Sequence, residues 1–198
     1  MQESIPENCD LLDTFTYEVD VYDTVCRVGS NKSGGYSDSG MSCKPSTVHF
    51  DSMFSDKKTC SVFREILQHV RTTQDVVSFP YRCDTETMCL YYRLTVSICI
   101  GNHVLFYNKL LGVDSRPYGV RWERVKPEGG SAIPLCSICN KFSVDERWIE
   151  FQEMIDLKYW PESGKEMPCA YTVCLPCEKG IRHRVNESSI KLSSASQS

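Results

Sequence analysis

Apolar and polar residues alternate along much of the first two thirds of the chain, and the period of that alternation changes at identifiable places. Residues 15–19 and 24–28 form two short β-prone runs separated by Asp20, Tyr22 and Asp23, which predicts a hairpin. A stretch rich in Gly and Ser follows, from Ser30 through Gly34, Gly35 and Gly40 to Ser46, with the composition of an irregular loop. From Asp56 the period becomes helical: Val62, Phe63, Ile66, Leu67 and Val70 share one face of a helix that Ser55 or Asp56 can cap. Residues 76–82 return to strand character but contain Pro80, which has no amide proton to give to a ladder and marks an edge strand or bulge. Leu90, Tyr92, Leu94, Val96 and Ile98 then alternate with Tyr91, Arg93, Thr95 and Ser97. Gly101-Asn102 predicts a two-residue turn, and residues 103–111 the returning strand.

This order of elements is that of an α+β fold, an antiparallel sheet with its helices on one face. At residues 126–131, Lys-Pro-Glu-Gly-Gly-Ser reads as a linker. Beyond it Cys136-Ser137-Ile138-Cys139 opens one cysteine knuckle and Cys174-Leu175-Pro176-Cys177 supplies another. Between them, Ser143-Val144-Asp145-Glu146 has the form of a capping box, with Trp148, Ile149, Met154 and Ile155 on the apolar side of a second helix. The predicted organisation is a sheet domain at 10–125, a linker at 126–131, a four-cysteine unit at 132–186 and a frayed, Ser-rich tail at 187–198.

Composition narrows the chemistry. With 198 residues, 41% of them hydrophobic and 24% charged, the chain can bury a core. A net charge of −4 gives no global attraction to nucleic acid or to an anionic membrane, and no apolar run is long enough to span a bilayer. The acidic N-terminus lacks the basic start and apolar stretch of a secretory signal, so a cytoplasmic location is expected. In a reducing compartment the 12 cysteines are metal ligands or small buried hydrophobes rather than disulfides.

Two Cys-x-x-Cys pairs present four thiolates to one cation, which is the donor set of a closed, structural Zn2+ site. On this reading Cys136, Cys139, Cys174 and Cys177 hold zinc to fold a unit too small for a core of its own, and Cys169 is a substitute ligand. A redox dithiol and inert buried cysteines are the competing assignments. Arg82, Cys83 and Asp84 form a second candidate: the Arg and Asp either bind a polar ligand or, preferably, lock a strand end. Cys83 is either a reactive thiol or, preferably, a buried inert one. His69 on the helix could meet a haem, but a polar residue on the flank of the apolar face is preferred, and haem and flavin are disfavoured as cofactors. His49 and His103 have no ligand partners at sequence spacing. The run 179–184, with Lys179, Arg182, His183 and Arg184, is a basic patch that keeps nucleic-acid contact open without favouring it. No catalytic constellation is present, so no enzyme activity is expected.

Tyr17-Glu18-Val19-Asp20, the helix ending in His69-Val70-Arg71, and above all Phe79-Pro80-Tyr81-Arg82-Cys83-Asp84 resemble bacterial PAS-like sensory proteins. Members of that family often carry a tail with Cys-Ser-x-Cys, a Trp-bearing helix and Cys-Pro-x-Cys. Cys136-Ser137-Ile138-Cys139, Trp148 and Cys174-Leu175-Pro176-Cys177 are similar to that layout. The Gly/Ser-rich stretch stands where the family has a Trp and a short Asn-bearing helix. Ala170-Tyr171-Thr172-Val173 stands in place of a Ser-His-Gly-Ile. The resemblance implies a PAS-like sheet with a zinc-ribbon-like tail, acting as a signalling module that senses a small-molecule ligand or protein partner, with a homodimer open. A zinc-dependent nucleic-acid or protein adaptor and a thiol-based redox sensor are the alternatives.

Overall fold

The computed structural model describes residues 12–32, 44–116, 122–125, 132–159 and 166–195. The first hairpin is β1 (Leu12–Val19) and β2 (Thr24–Lys32), followed by β3 (Lys44–His49). The helix α1 (Lys57–Thr73) starts where Asp56 accepts the amide of Thr59 at 2.8 Å, and stops where Gln74 turns left-handed (φ 61) and donates to the Val70 carbonyl at 2.9 Å. Then come β4 (Val77–Arg82), β5 (Met88–Ile98) and β6 (Val104–Ser115). These six strands form one antiparallel sheet in the order β3-β2-β1-β6-β5-β4, and β4, which contains Pro80, is an edge. The β5–β6 turn has three residues, Ile100–Asn102, rather than the two expected. Gly101 (φ 76) and Asn102 (φ 63) are both left-handed, a conformation open to Gly and tolerated by Asn.

One face of this sheet is covered by α1. Val62, Ile66, Leu67 and Val70 pack on Val77, Phe79, Leu94, Val96, Val104 and Phe106, all nearly inaccessible to solvent. Each such side chain contributes roughly 1.5–3 kcal/mol by leaving water. Phe106 stacks on Tyr17 at 4.5 Å between centroids and meets Phe50 at 5.4 Å. The space between helix and sheet is therefore filled with side chains.

A second sheet is built from β7 (Trp122–Arg124), β8 (Ile133–Cys136), β9 (Phe142–Val144), β10 (Arg147–Ile149) and β11 (Met167–Thr172), in the order β10-β9-β8-β11-β7. The pairs of β11 with β7 and β8 are parallel, and the others are antiparallel. β7 lies before the expected linker but pairs beyond it, and the linker residues 126–131 lie outside the described residues.

Residues 143–146 do not cap a helix. They form the β9–β10 hairpin, with Asp145 (φ 47) and Glu146 (φ 63) as its two left-handed turn residues, and Trp148 and Ile149 lie on β10. Ser-x-x-Glu is compatible with both structures, and the flanking Phe142, Val144, Trp148 and Ile149 favour strands. Only Met154 and Ile155 of the expected apolar face are helical, in the short α2 (Phe151–Asp156).

The last helix, α3 (Leu175–Ala195), continues through most of the tail expected to fray from 187, because extending an established helix costs far less than starting one. The four-cysteine unit also has a core of its own, contrary to expectation: Leu135, Phe142, Ile149, Phe151, Met154 and Cys169 pack together.

Candidate metal centre

The first cysteine pair sits on a turn. β8 ends at Cys136, whose amide donates to the Lys141 carbonyl at 2.9 Å. The amide of Asn140, which is left-handed (φ 54), donates to the Cys136 carbonyl at 2.9 Å. That turn brings Cys139 back beside Cys136. The second pair comes from a strand end and a helix start: Cys174 follows β11 and Cys177 lies in the first turn of α3, where the Glu178 amide donates to the Cys174 carbonyl at 3.0 Å.

All four sulfurs lie within 4.8 Å of one another. Sulfurs bound tetrahedrally at about 2.3 Å from a central ion stand about 3.8 Å apart. The Sγ atoms of Cys139 and Cys174 are 3.8 Å apart. Every described cysteine is a free thiol. The geometry therefore fits a divalent metal ion held by four protein ligands, with no position left for water.

The electrostatics agree. Hydrogen bonds from the Cys139 and Cys177 thiols, followed by the Cys174 amide at 3.4 Å, hold the Cys136 thiol far below its usual range despite its burial. The hydrogen bond to Cys136 is the largest influence on the Cys139 and Cys177 thiols: Cys139 is pushed up to about 12, and Cys177 is raised further by Cys136 and Cys139 together. A divalent cation among the sulfurs would favour their ionised forms, since thiolates are the metal-binding state of cysteine.

No protein-family model, curated protein or solved structure matches the chain.

The cluster lies at a seam. Cys136, Ile138, Val173 and Cys174, with Ile181 and Val185 of α3, belong to the same apolar core as α1 and the first sheet. Thr59 of α1 meets the Ser137 hydroxyl at 3.0 Å, and the Arg82 amide donates to the Ile138 carbonyl at 2.8 Å. Cys169 is not among the four sulfurs. It lies at the centre of the second core, where burial pushes its thiol up to about 12.

The second expected site is a structural lock across the same seam. Arg82 donates to Asp84 through Nε at 2.9 Å and Nη2 at 2.6 Å, and to Glu150 through Nη1 at 2.8 Å. Burial opposes the Arg82 charge, but Asp84 and then Glu150 outweigh it and raise its pKa. Arg116 also donates to Asp84, whose side chain is 0% exposed. Its guanidinium lies 5.5 Å from the Trp122 ring centre and 5.4 Å from that of Phe151. With its donors and acceptors matched, the Asn140 amide donates to the Cys136 carbonyl at 3.2 Å and accepts the Asp84 amide at 2.9 Å, tying this lock to the knuckle.

Cys83 is exposed, not buried, and follows the last residue of β4. Of the other scattered cysteines, Cys26, Cys60, Cys89 and Cys99 are only partly buried, and Cys9 and Cys43 lie outside the described residues.

The His69 side chain is only 8% exposed, with Nε2 at 3.3 Å from the Thr73 hydroxyl, and His49 caps the turn at Phe50–Met53. Two residues of the basic run on α3 face acidic partners: Arg182 lies 3.1 Å from Glu65 and 3.3 Å from Glu178, and His183 lies 3.7 Å from Glu187. An open groove of about 660 Å³ beside α1 is lined by Asp51, Phe54, Asp56, Cys60, Arg64 and Gln68, and an Arg64–Asp51 ion pair spans part of it. Among the described residues, no helix is long and apolar enough to cross a membrane.

Sequence reading missed Arg116 and a second cluster, Glu18, Cys26 and His103, whose members the sheet brings together from distant positions. Strand registers are not written in local spacing, and no motif would have found them.

Proposed function

We propose that the chain is a non-enzymatic regulatory module in which a PAS-like sheet domain is coupled, through a structural zinc unit, to the helix α3. The observation that carries this reading is that Cys136 and Cys174 are buried in one core with α1 and the sheet. An inner first strand in an antiparallel sheet, with a helix laid over one face, supports the PAS-like assignment. Cys136, Cys139, Cys174 and Cys177 would hold the zinc, which supplies a closed tetrahedral staple and no Lewis-acid position. The staple fixes the end of β11 and the start of α3 against the knuckle. Ile181 and Val185 then carry any displacement of α1 or β4 into α3, because a close-packed core transmits shifts rather than absorbing them.

The filled space under α1 favours a protein partner over a small molecule as the input. The acidic groups beside Arg182 and His183 weigh against the nucleic-acid adaptor, since they lower the positive potential a phosphate would meet there.

Hydrogen exchange on the full chain, with and without a strong zinc chelator, tests the coupling. Chelation is expected to lower protection in β11 and the first turns of α3, and also in β4 and the N-terminal half of α1. Loss confined to residues 132–186 would refute it.

A further inference from the structure

Three side chains of different chemistry meet at the end of the first sheet where β1 leads into β2 and β5 into β6. Glu18 lies on β1, Cys26 on β2, and His103 immediately precedes β6. Pairing of Val19 with Val104 sets Glu18 beside His103. Glu18 pairs with Arg27 while Val19 pairs with Val25, so Cys26 is the extra residue of a β-bulge. A bulge re-aims a side chain. Here it places the Cys26 sulfur 3.4 Å from the Glu18 carbonyl oxygen and 3.9 Å from His103 Nδ1. His103 Nδ1 is 2.6 Å from Glu18 Oε1, and the three ligand atoms lie within 4.8 Å of one another.

A thiol, an imidazole and a carboxylate suit either nucleophilic catalysis or metal binding, and the geometry separates the two. A catalytic triad needs the nucleophile and the orienting acid on opposite nitrogens of the ring. In this cluster both face Nδ1, while Nε2 lies towards Gly101, 3.7 Å from where a β-carbon would stand. Metal binding requires what is found: one sulfur, one nitrogen and one oxygen within 4.8 Å of one another.

We propose that Glu18, Cys26 and His103 form a second metal site, for a borderline divalent ion of the zinc class, with three protein ligands and one open position. Sulfur, imidazole and carboxylate together match that class of ion rather than calcium or magnesium. Arg27 Nη1 lies 3.7 Å from Glu18 Oε2, which leaves Oε1 as the ligand atom. Loading releases the Cys26 thiol proton and requires a free lone pair on Nδ1, so the metal-bound imidazole carries its proton on Nε2. The Cys99 thiol donates to the His103 carbonyl at 3.4 Å and lies outside the cluster. Glu18 and His103 keep side-chain exposures of 17% and 30%, so the fourth position is open to water or to a small external ligand.

The test is zinc titration of the full chain against a chelator of about micromolar affinity, together with iodoacetamide alkylation mapped by peptide mass. Wild type is expected to take two equivalents, and Cys26→Ala and His103→Ala one each. In wild type, zinc should slow Cys26 alkylation at least about tenfold, while the exposed Cys83 serves as the unprotected control. A single equivalent in wild type, two retained in Cys26→Ala, or equal alkylation of Cys26 with and without zinc would each overturn the site. The alkylation arm uses unmutated protein and stands even where a variant fails to fold.

Discussion

Replacing Asp84 by alanine removes the carboxylate that two buried guanidiniums share. Arg82 is 12% exposed, Arg116 5% and Asp84 0%. Arg82 retains Glu150 at 2.8 Å, on a half-exposed side chain, so its loss is partly made good. Arg116 does not recover in the same way: among the described residues its guanidinium keeps a contact to Cys89 Sγ at 3.2 Å and the faces of two rings, and its Nη1 has no hydrogen-bond partner there. Removing one partner of a buried ion pair costs about 3–5 kcal/mol, because the other charge stays behind unpaired. For a chain of this size that corresponds to a fall in Tm of roughly 6–20 °C. Removing the stranded charge as well should help, so Asp84→Ala/Arg116→Leu is expected to recover at least about half of the loss. Urea unfolding of zinc-loaded protein measures both variants. A single-variant loss below about 1 kcal/mol, or a double variant no better than the sum of the two singles, would show that the lock does not hold the seam.

Alkaline titration examines the second core. Burial holds the Cys169 thiol up to about 12 from an ordinary value of 9.0, so between those values the folded chain keeps a proton that the unfolded chain has lost. This contribution is intact below about pH 9 and is lost as pH rises towards 12, with a slope of up to about 1.4 kcal/mol per pH unit. Cys169→Ala should flatten that decline in urea midpoints measured from pH 8 to 10.5, and equal slopes would show that the thiol ionises freely in the fold. At the β9–β10 turn, Glu146 is exposed and left-handed (φ 63), a conformation that costs an L-residue about 1–2 kcal/mol. Glu146→Gly is expected to raise stability by about 0.5–1 kcal/mol after the added freedom of the unfolded chain is subtracted. A lowered urea midpoint would contradict the hairpin assignment.

Where a feature is written in neighbouring residues, it was legible. The alternation from Leu90 to Ile98 gave β5, the apolar face from Val62 to Val70 gave α1, and Pro80 marked an edge strand. The quartet was legible for the same reason, since each Cys-x-x-Cys pair is a local signal. Ser143-Val144-Asp145-Glu146 was misread because a capping box and a two-residue hairpin turn can share four residues, and only pairing of Phe142 with Ile149 decides between them. Glu18, Cys26 and His103 were beyond local reading. His103 stands 85 positions from Glu18 and 77 from Cys26, and the bulge that turns Cys26 towards them exists only once β1 and β2 have paired.

The same distinction explains why a sequence boundary at residues 126–131 is not a boundary between cores. A sheet that ends at β4 leaves a row of unpaired backbone groups, which invites pairing with another chain unless something covers it. Pro80 removes one donor from that edge, but the rest of the protection comes from the C-terminal unit. Arg184 of α3 donates to the Ser78 carbonyl at 3.3 Å, and the Ile138 carbonyl of the cysteine knuckle accepts the Arg82 amide at 2.8 Å. Ile181 and Val185 join the core on that side. Without these contacts the first sheet would keep an open edge and an uncovered apolar flank. If the quartet holds the proposed metal, it fixes the unit that closes the sheet, and chelation should weaken β4 as much as the knuckles themselves.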